Sequence, residues 1–200
     1  RYDKDLKEMD IIWCRFLSKF EDQIYHDFCP NTPITEYKYT CLPNLLENPW
    51  TEAFAGKKIL VIHPFEASIR KNYKIKDKLY DNPRFMPDFD LITYKPVQSI
   101  AGNRTDYATW FEALDAMEND ISKIDFDVAL IGAGAYGLAL GAFIKRLGKK
   151  AFHIGGILQL YFGIRGKAWD KYNIHNEFWT RPTADEVPEG YKKVEAGRYW

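Results

Sequence analysis

Residues 126–147 constrain the fold more than any other stretch. In FDVALIGAGAYG, running from Phe126 to Gly137, a short apolar run ends in a GxGxxG cluster of Gly132, Gly134 and Gly137, and Leu138 to Leu147 then shows helical apolar spacing. A strand, a tight turn and a helix in that order can present backbone N–H groups and a positive helix end to a phosphate. The same glycines also permit close packing of helix on strand, so the motif alone leaves both uses open.

The unit is one of several. Lys57 to His63 (KKILVIH) follows a glycine turn, reads as a buried strand and is stopped by Pro64, while Glu66 to Tyr80 has polar and apolar spacing that predicts a helix. Phe89 to Tyr94 predicts a second strand, Thr109 to Ile121 an amphipathic helix, Val128 to Ile131 a third strand, and Lys150 to Ile154 a fourth, closed by Gly155 and Gly156. Alternation at this spacing predicts an α/β fold: a Rossmann-like, mostly parallel sheet with helices on both faces. Before it, Leu6, Met9, Ile12, Trp13, Phe16, Leu17 and Phe20 fall on one face of a helix, and Pro30, Pro33, Pro43 and Pro49 punctuate a loop-rich connector with room only for short strands. The expected organisation is an N-terminal helical and loop region, residues 1–55, packed on a core of residues 56–200.

Composition removes function classes. Lys plus Arg and Asp plus Glu are equal at 28 each, which disfavours nucleic acid as a partner. No apolar run is long enough to span a bilayer and no signal-peptide series opens the chain, so a cytoplasmic protein is expected. Cys14, Cys29 and Cys41 are odd in number and lack CxxC spacing, which fits free thiols better than a disulfide framework or a zinc site. The chain begins at Arg1 rather than Met, which points to a preceding segment.

In parallel sheets ligands collect outside the carboxyl ends of the strands. Four segments qualify: HPFEAS from His63, KPVQSIAG from Lys95, GAGAYG from Gly132, and HIGGILQLYFGIRGK from His153. They bring His63, Glu66, Ser68, Gln98, Ser99, Gly132, Gly134, Tyr136, Gly137, Gly155, Gly156, Gln159, Arg165 and Lys167 to one sheet edge. Of these, His63 with Glu66 is the candidate acid or base, and the glycine-loop amides with Arg165 and Lys167 are the candidate diphosphate ligands. A nicotinamide cofactor needs an acid at the end of the strand after the glycine loop; AFHIGG has His153 and no acid there, so NAD is not expected. Asp88 with Asp90 and Asp125 with Asp127 precede strands and belong at the opposite edge. The aromatic residues gathered near the C-terminus, Tyr199 and Trp200 among them, offer faces that can stack on a sugar or base, with core packing as their other use.

The blocks GKKILVIHPFEASI, KPVQSIAG, WFEALDAM and FDVALIGAGAYGLALGAFIKRLGKKAFHIGGILQLYFGIRGKAWD, with NEFW and RP after them, resemble a group of bacterial surface-polysaccharide proteins similar to glycosyltransferases of the GT-D fold class. The resemblance covers about residues 48–200. It implies a Rossmann-like domain that takes a nucleotide-sugar donor, typically a UDP-sugar, and a glycan acceptor, with Mn²⁺ or Mg²⁺ held by an Asp-x-Glu motif. Its glycine loops correspond to Gly132, Gly134 and Gly137 and to Gly155 and Gly156. Its acidic motif has no match between Arg1 and Gly56, so no metal ligand is assigned. The leading expectation is sugar transfer from a nucleotide diphosphate to a hydroxyl in cell-surface polysaccharide assembly. The alternatives are a non-catalytic nucleotide- or sugar-binding module and, less favoured, a Rossmann oxidoreductase.

Overall fold

The computed structural model describes residues 2–14, 19–36, 42 and 46–200. Its centre is a four-stranded, all-parallel sheet. The strands are β3 (Lys58–Ile62), β4 (Asp90–Tyr94), β5 (Val128–Ile131) and β6 (Lys150–His153), in the order β4-β3-β5-β6. Their hydrophobicity sets this order. Ile59 to Ile62 and all of β5 are buried, as strands covered on both faces must be, whereas β4 and β6 are only half-buried or exposed and occupy the edges.

Side chains alternate across the sheet and divide the core in two. Leu60, Ile62, Ala129 and Ile131 pack against α4 (Trp110–Ile121) and α5 (Gly137–Arg146), which supply Leu114, Met117, Ile121, Leu140 and Ile144. Ile59, Val61, Val128 and Leu130 face the other way, onto Phe65 and Ile69 around α3 (Glu66–Tyr73) and onto the chain after β6, including Tyr161, Phe162 and Trp179. The expected α/β architecture with helices on both faces is present.

Element boundaries depart from expectation where distant partners intervene. The helix expected over Glu66 to Tyr80 ends at Tyr73, followed by a 3₁₀ turn at Lys76–Lys78. Asn72 there donates to the Phe162 carbonyl at 2.8 Å, and Tyr73 bonds Phe89 through both its donor and acceptor capacity. The N-terminal stripe is not one helix. It contains α1 (Tyr2–Leu6), β1 (Ile12–Cys14) and the start of α2 (Lys19–Phe28), and β1 pairs in parallel with β2 (Ile34–Glu36). Ile11 and Ile12 are β-branched and favour strand once a partner is available. Phe16, Leu17, Cys41 and Pro43 lie outside the described residues. Ion pairs from Arg146 to Asp5 and Glu8, and from Lys145 to Asp10, tie the N-terminal region to the end of α5. Cys29 is a buried free thiol. Among the described residues no helix is long and apolar enough to cross a membrane.

Candidate functional site

The chain runs from β3 to β4 on one side and returns past β3 to form β5 on the other, so strand order reverses between β3 and β5. The carboxyl ends of neighbouring strands diverge at such a point and leave a crevice. A cleft of about 350 Å³ lies there. Its lining comes from the segments after all four strands and from the C-terminal residues.

His63 follows β3 directly and is buried, with its ring on the cleft wall. Its Nδ1 accepts from Phe65 N–H at 3.0 Å, and burial lowers its pKa to about 3. The imidazole is therefore neutral at physiological pH and carries its proton on Nε2. Gly132 makes room for it: a Cβ there would lie 2.5 Å from His63 Cδ2 and 2.9 Å from the Gly155 carbonyl oxygen. A Cβ at Gly137 would lie 2.1 Å from His153 Cε1, and one at Gly156 would lie 2.2 Å from Tyr199 Cε1, each too close to be tolerated without a shift. Three glycines of the two loops thus admit rings of this same chain.

Also in the lining, Tyr136 stacks on Trp110 with ring centroids 5.2 Å apart and planes within 2° of parallel. Burial raises the Tyr136 pKa, and the nearby Ser99 side chain works against that rise. Gln98, Ser99, Gly132, Gly134, Tyr136, Gly156 and Gln159 all line the cleft with His63, as the strand-end rule predicts. Gln159 is fully buried; its Nε2 donates to the carbonyls of Ile164 and Tyr199, and its Oε1 has no partner.

Several expected site residues are elsewhere. Glu66 is absent from the lining and pairs with Arg70, one helical turn on, so it does not partner His63. Arg165 binds Asp170 at 3.2 Å, where Arg181 also binds, and Lys167 reaches the Ala196 carbonyl at 3.5 Å. Neither lines the cleft, and among the described residues that do there is no lysine or arginine. Gly137 and Gly155 are not among the lining residues either. Ser68 is used by Glu186, a buried carboxylate that accepts from Ala67 N–H at 2.9 Å, from Ser68 N–H at 3.1 Å and from the Ser68 hydroxyl. Glu186 thereby neutralises the start of α3, where a parallel-sheet fold can hold an anion.

Trp110, Glu195, Tyr199 and Trp200 also line the cleft. Glu195 pairs with Arg198 at 2.7 Å, and it and Ala196 hold left-handed backbone with φ of 45° and 55°. Nothing local in the sequence marks Glu195 as a cleft residue, because long-range folding brings it there. The aromatic clustering near the C-terminus was a usable signal for Tyr199 and Trp200.

Among the described residues the donor set does not suit a divalent cation. Among the described residues no group of three His, Cys, Asp or Glu side chains can hold a metal ion, and the cleft's one carboxylate is already paired with Arg198. The acidic pairs expected at the far edge are there: Asp125 pairs with Lys58, and Asp127 accepts from Lys58 N–H at 2.8 Å. Compared with known proteins, the chain matches no family model, no curated protein and no solved structure.

Proposed function

We propose that the chain is a glycosyltransferase-like domain that binds a nucleotide-sugar donor, a UDP-sugar by its sequence resemblance, for transfer to a hydroxyl of a cell-surface glycan. The observation that carries the reading is the position of the cleft. It sits at the strand-order reversal of a parallel sheet, bordered by the GAGAYG loop and by stacked aromatic rings. Its volume of about 350 Å³ is near the small end of the range for ligand pockets, enough to enclose one part of such a donor.

The uncharged part of the donor suits the interior, because a diphosphate buried among uncharged groups would lose its hydration without a matching cation. The diphosphate then belongs toward the glycine loop and the start of α5, where backbone N–H groups can meet the charge that builds as the glycosidic bond breaks. In the neutral state described above, His63 offers a hydrogen bond at Nε2 rather than a lone pair for proton uptake. With Glu66 committed to Arg70, neither residue is assigned as base, and no step runs through a metal.

A second reading, a binding module without turnover, is favoured by that same engagement of both acid–base candidates. Calorimetric titration with UDP-sugars, with and without Mn²⁺, followed by chromatography for released UDP, separates the readings. Binding with turnover supports the transferase, and binding without it supports the module. No binding under either condition sinks both.

A further inference from the structure

Glu195 is the one acidic residue among the described lining of the cleft, and it stands on strained backbone. Glu195, Ala196 and Gly197 carry φ of 45°, 55° and 72°, a left-handed run that only the glycine adopts without cost. Two neighbours in sequence then hold the carboxylate. Arg198 donates to Oε2 at 2.7 Å and fixes the orientation of the group. The Tyr199 hydroxyl stands 3.4 Å from Oε1, a long contact that leaves most of this oxygen's accepting capacity unused. Tyr199 ties the pair to the second glycine loop, since a Cβ on the lining residue Gly156 would lie 3.2 Å from Tyr199 Cζ, the carbon that bears the hydroxyl. The Glu195 side chain is 52% exposed, so a ligand in the cleft can reach it.

Charge decides what such a group can take. Arg198 matches the Glu195 carboxylate, so the pair has no net charge to draw a metal ion or an ammonium group, and the described lining offers no second acid. A phosphate brings only acceptors and negative charge to Oε1 and is turned away. A neutral donor remains. The phenol beside Oε1 can donate or accept as its hydroxyl rotates, so the two groups together meet two adjacent hydroxyls, one donating to the carboxylate and the other bonding the phenol. An exposed position suits the hydroxyl-rich, hydrated part of a ligand, whereas a flat base suits the interior. We propose that Glu195 Oε1 and the Tyr199 hydroxyl form a subsite for adjacent sugar hydroxyls, those of the ribose or of the transferred sugar, an inference that rests on the nucleotide-sugar reading above. The same carboxylate keeps the diphosphate away from this rim.

The test is calorimetric titration of the full chain and of Glu195→Ala with UDP-glucose, UDP and 2′,3′-dideoxy-UDP. The variant should bind UDP-glucose about tenfold more weakly, as for loss of a hydrogen bond to a charged group, and 2′,3′-dideoxy-UDP within about twofold of the parent. UDP tells the two sugars apart. If it is unaffected, the hydroxyls are those of the transferred sugar; if it loses the same factor, they are those of the ribose. Thermal melting checks that the variant folds; if it does not, Glu195→Gln takes its place, with a loss of about threefold expected because an accepting oxygen remains. A loss shared by all three ligands, or by none, overturns the subsite and leaves the nucleotide-sugar reading standing. If the parent does not bind UDP-glucose, the subsite and the nucleotide-sugar reading fall together.

Discussion

The helices that leave the two central strands begin in opposite electrostatic surroundings. At the start of α3, the Ala67 and Ser68 N–H groups are met by the Glu186 carboxylate, which arrives from 119 and 118 residues away. At the start of α5 there is no side-chain cap and no acidic residue in the first turn, and the approach through Gly134–Tyr136 lines the cleft. In a parallel sheet both places are open to an anion. Here the first is closed by a structural tie, while no side chain caps the second by a hydrogen bond, and under the proposed function this difference favours β5 over β3 for a ligand's phosphates.

Removing the tie should break the comparison most sharply. Glu186→Ala leaves the first N–H groups of α3 and the Ser68 hydroxyl without their acceptor, and a loss of about 3 kcal/mol in urea-unfolding stability is expected. The same variant uncovers the α3 start, so it should bind phosphate there when the parent does not, as seen by ³¹P line broadening.

His63 gives the next effect, through pH. Its folded pKa of about 3 lies below the ordinary histidine value of 6.5. Below pH 6.5 the unfolded chain takes up a proton that the folded chain refuses, so its contribution is fully present above that pH and is lost as pH falls toward 3. Between about pH 7 and pH 4 this amounts to about 3 kcal/mol, measured as the difference in pH dependence between the parent and His63→Gln.

The glycine loop can be divided by substitution. Gly132→Ala drives a Cβ against the buried His63 ring and the Gly155 backbone, and a loss of about 1–3 kcal/mol is expected together with weaker nucleotide binding. Gly137→Ala meets the exposed His153 ring, which can turn aside, and alanine favours the helix, so stability should change by about 1 kcal/mol or less. Equal losses in the two variants would show that the loop is a uniform packing device. The smallest effect belongs to the cations: Arg165→Ala and Lys167→Ala should leave UDP affinity within about twofold, because both side chains are held outside the cleft lining.

Local pattern carried the sheet and failed where partners are distant. The run Ile59 to Ile62 reads as a central strand without its neighbours, and Thr109 reads as a helix start because it caps Glu112 N–H within one turn. Ile12 to Cys14 is a strand only because residues 34–36 lie beside it, and the stripe from Leu6 to Phe20 gives no local notice of that pairing. At the site, backbone position followed from the strand-end rule, which placed Gln98, Ser99, Gly132 and Gln159 correctly at the cleft. Side-chain direction did not follow. Arg165 turns to Asp170, and Lys167 to the Ala196 carbonyl, partners set by the fold of the last forty residues. Glu66 was a nearer miss, since its i, i+4 pairing with Arg70 was already visible in the sequence.

Chemical-shift mapping with a saturating UDP-sugar tests the difference between the two helix starts most directly. Amide shifts are expected to concentrate at residues 132–136 and 98–99, with Ala67, Ser68 and Arg165 unmoved. Shifts centred on the start of α3, or on Arg165 and Lys167, would contradict it.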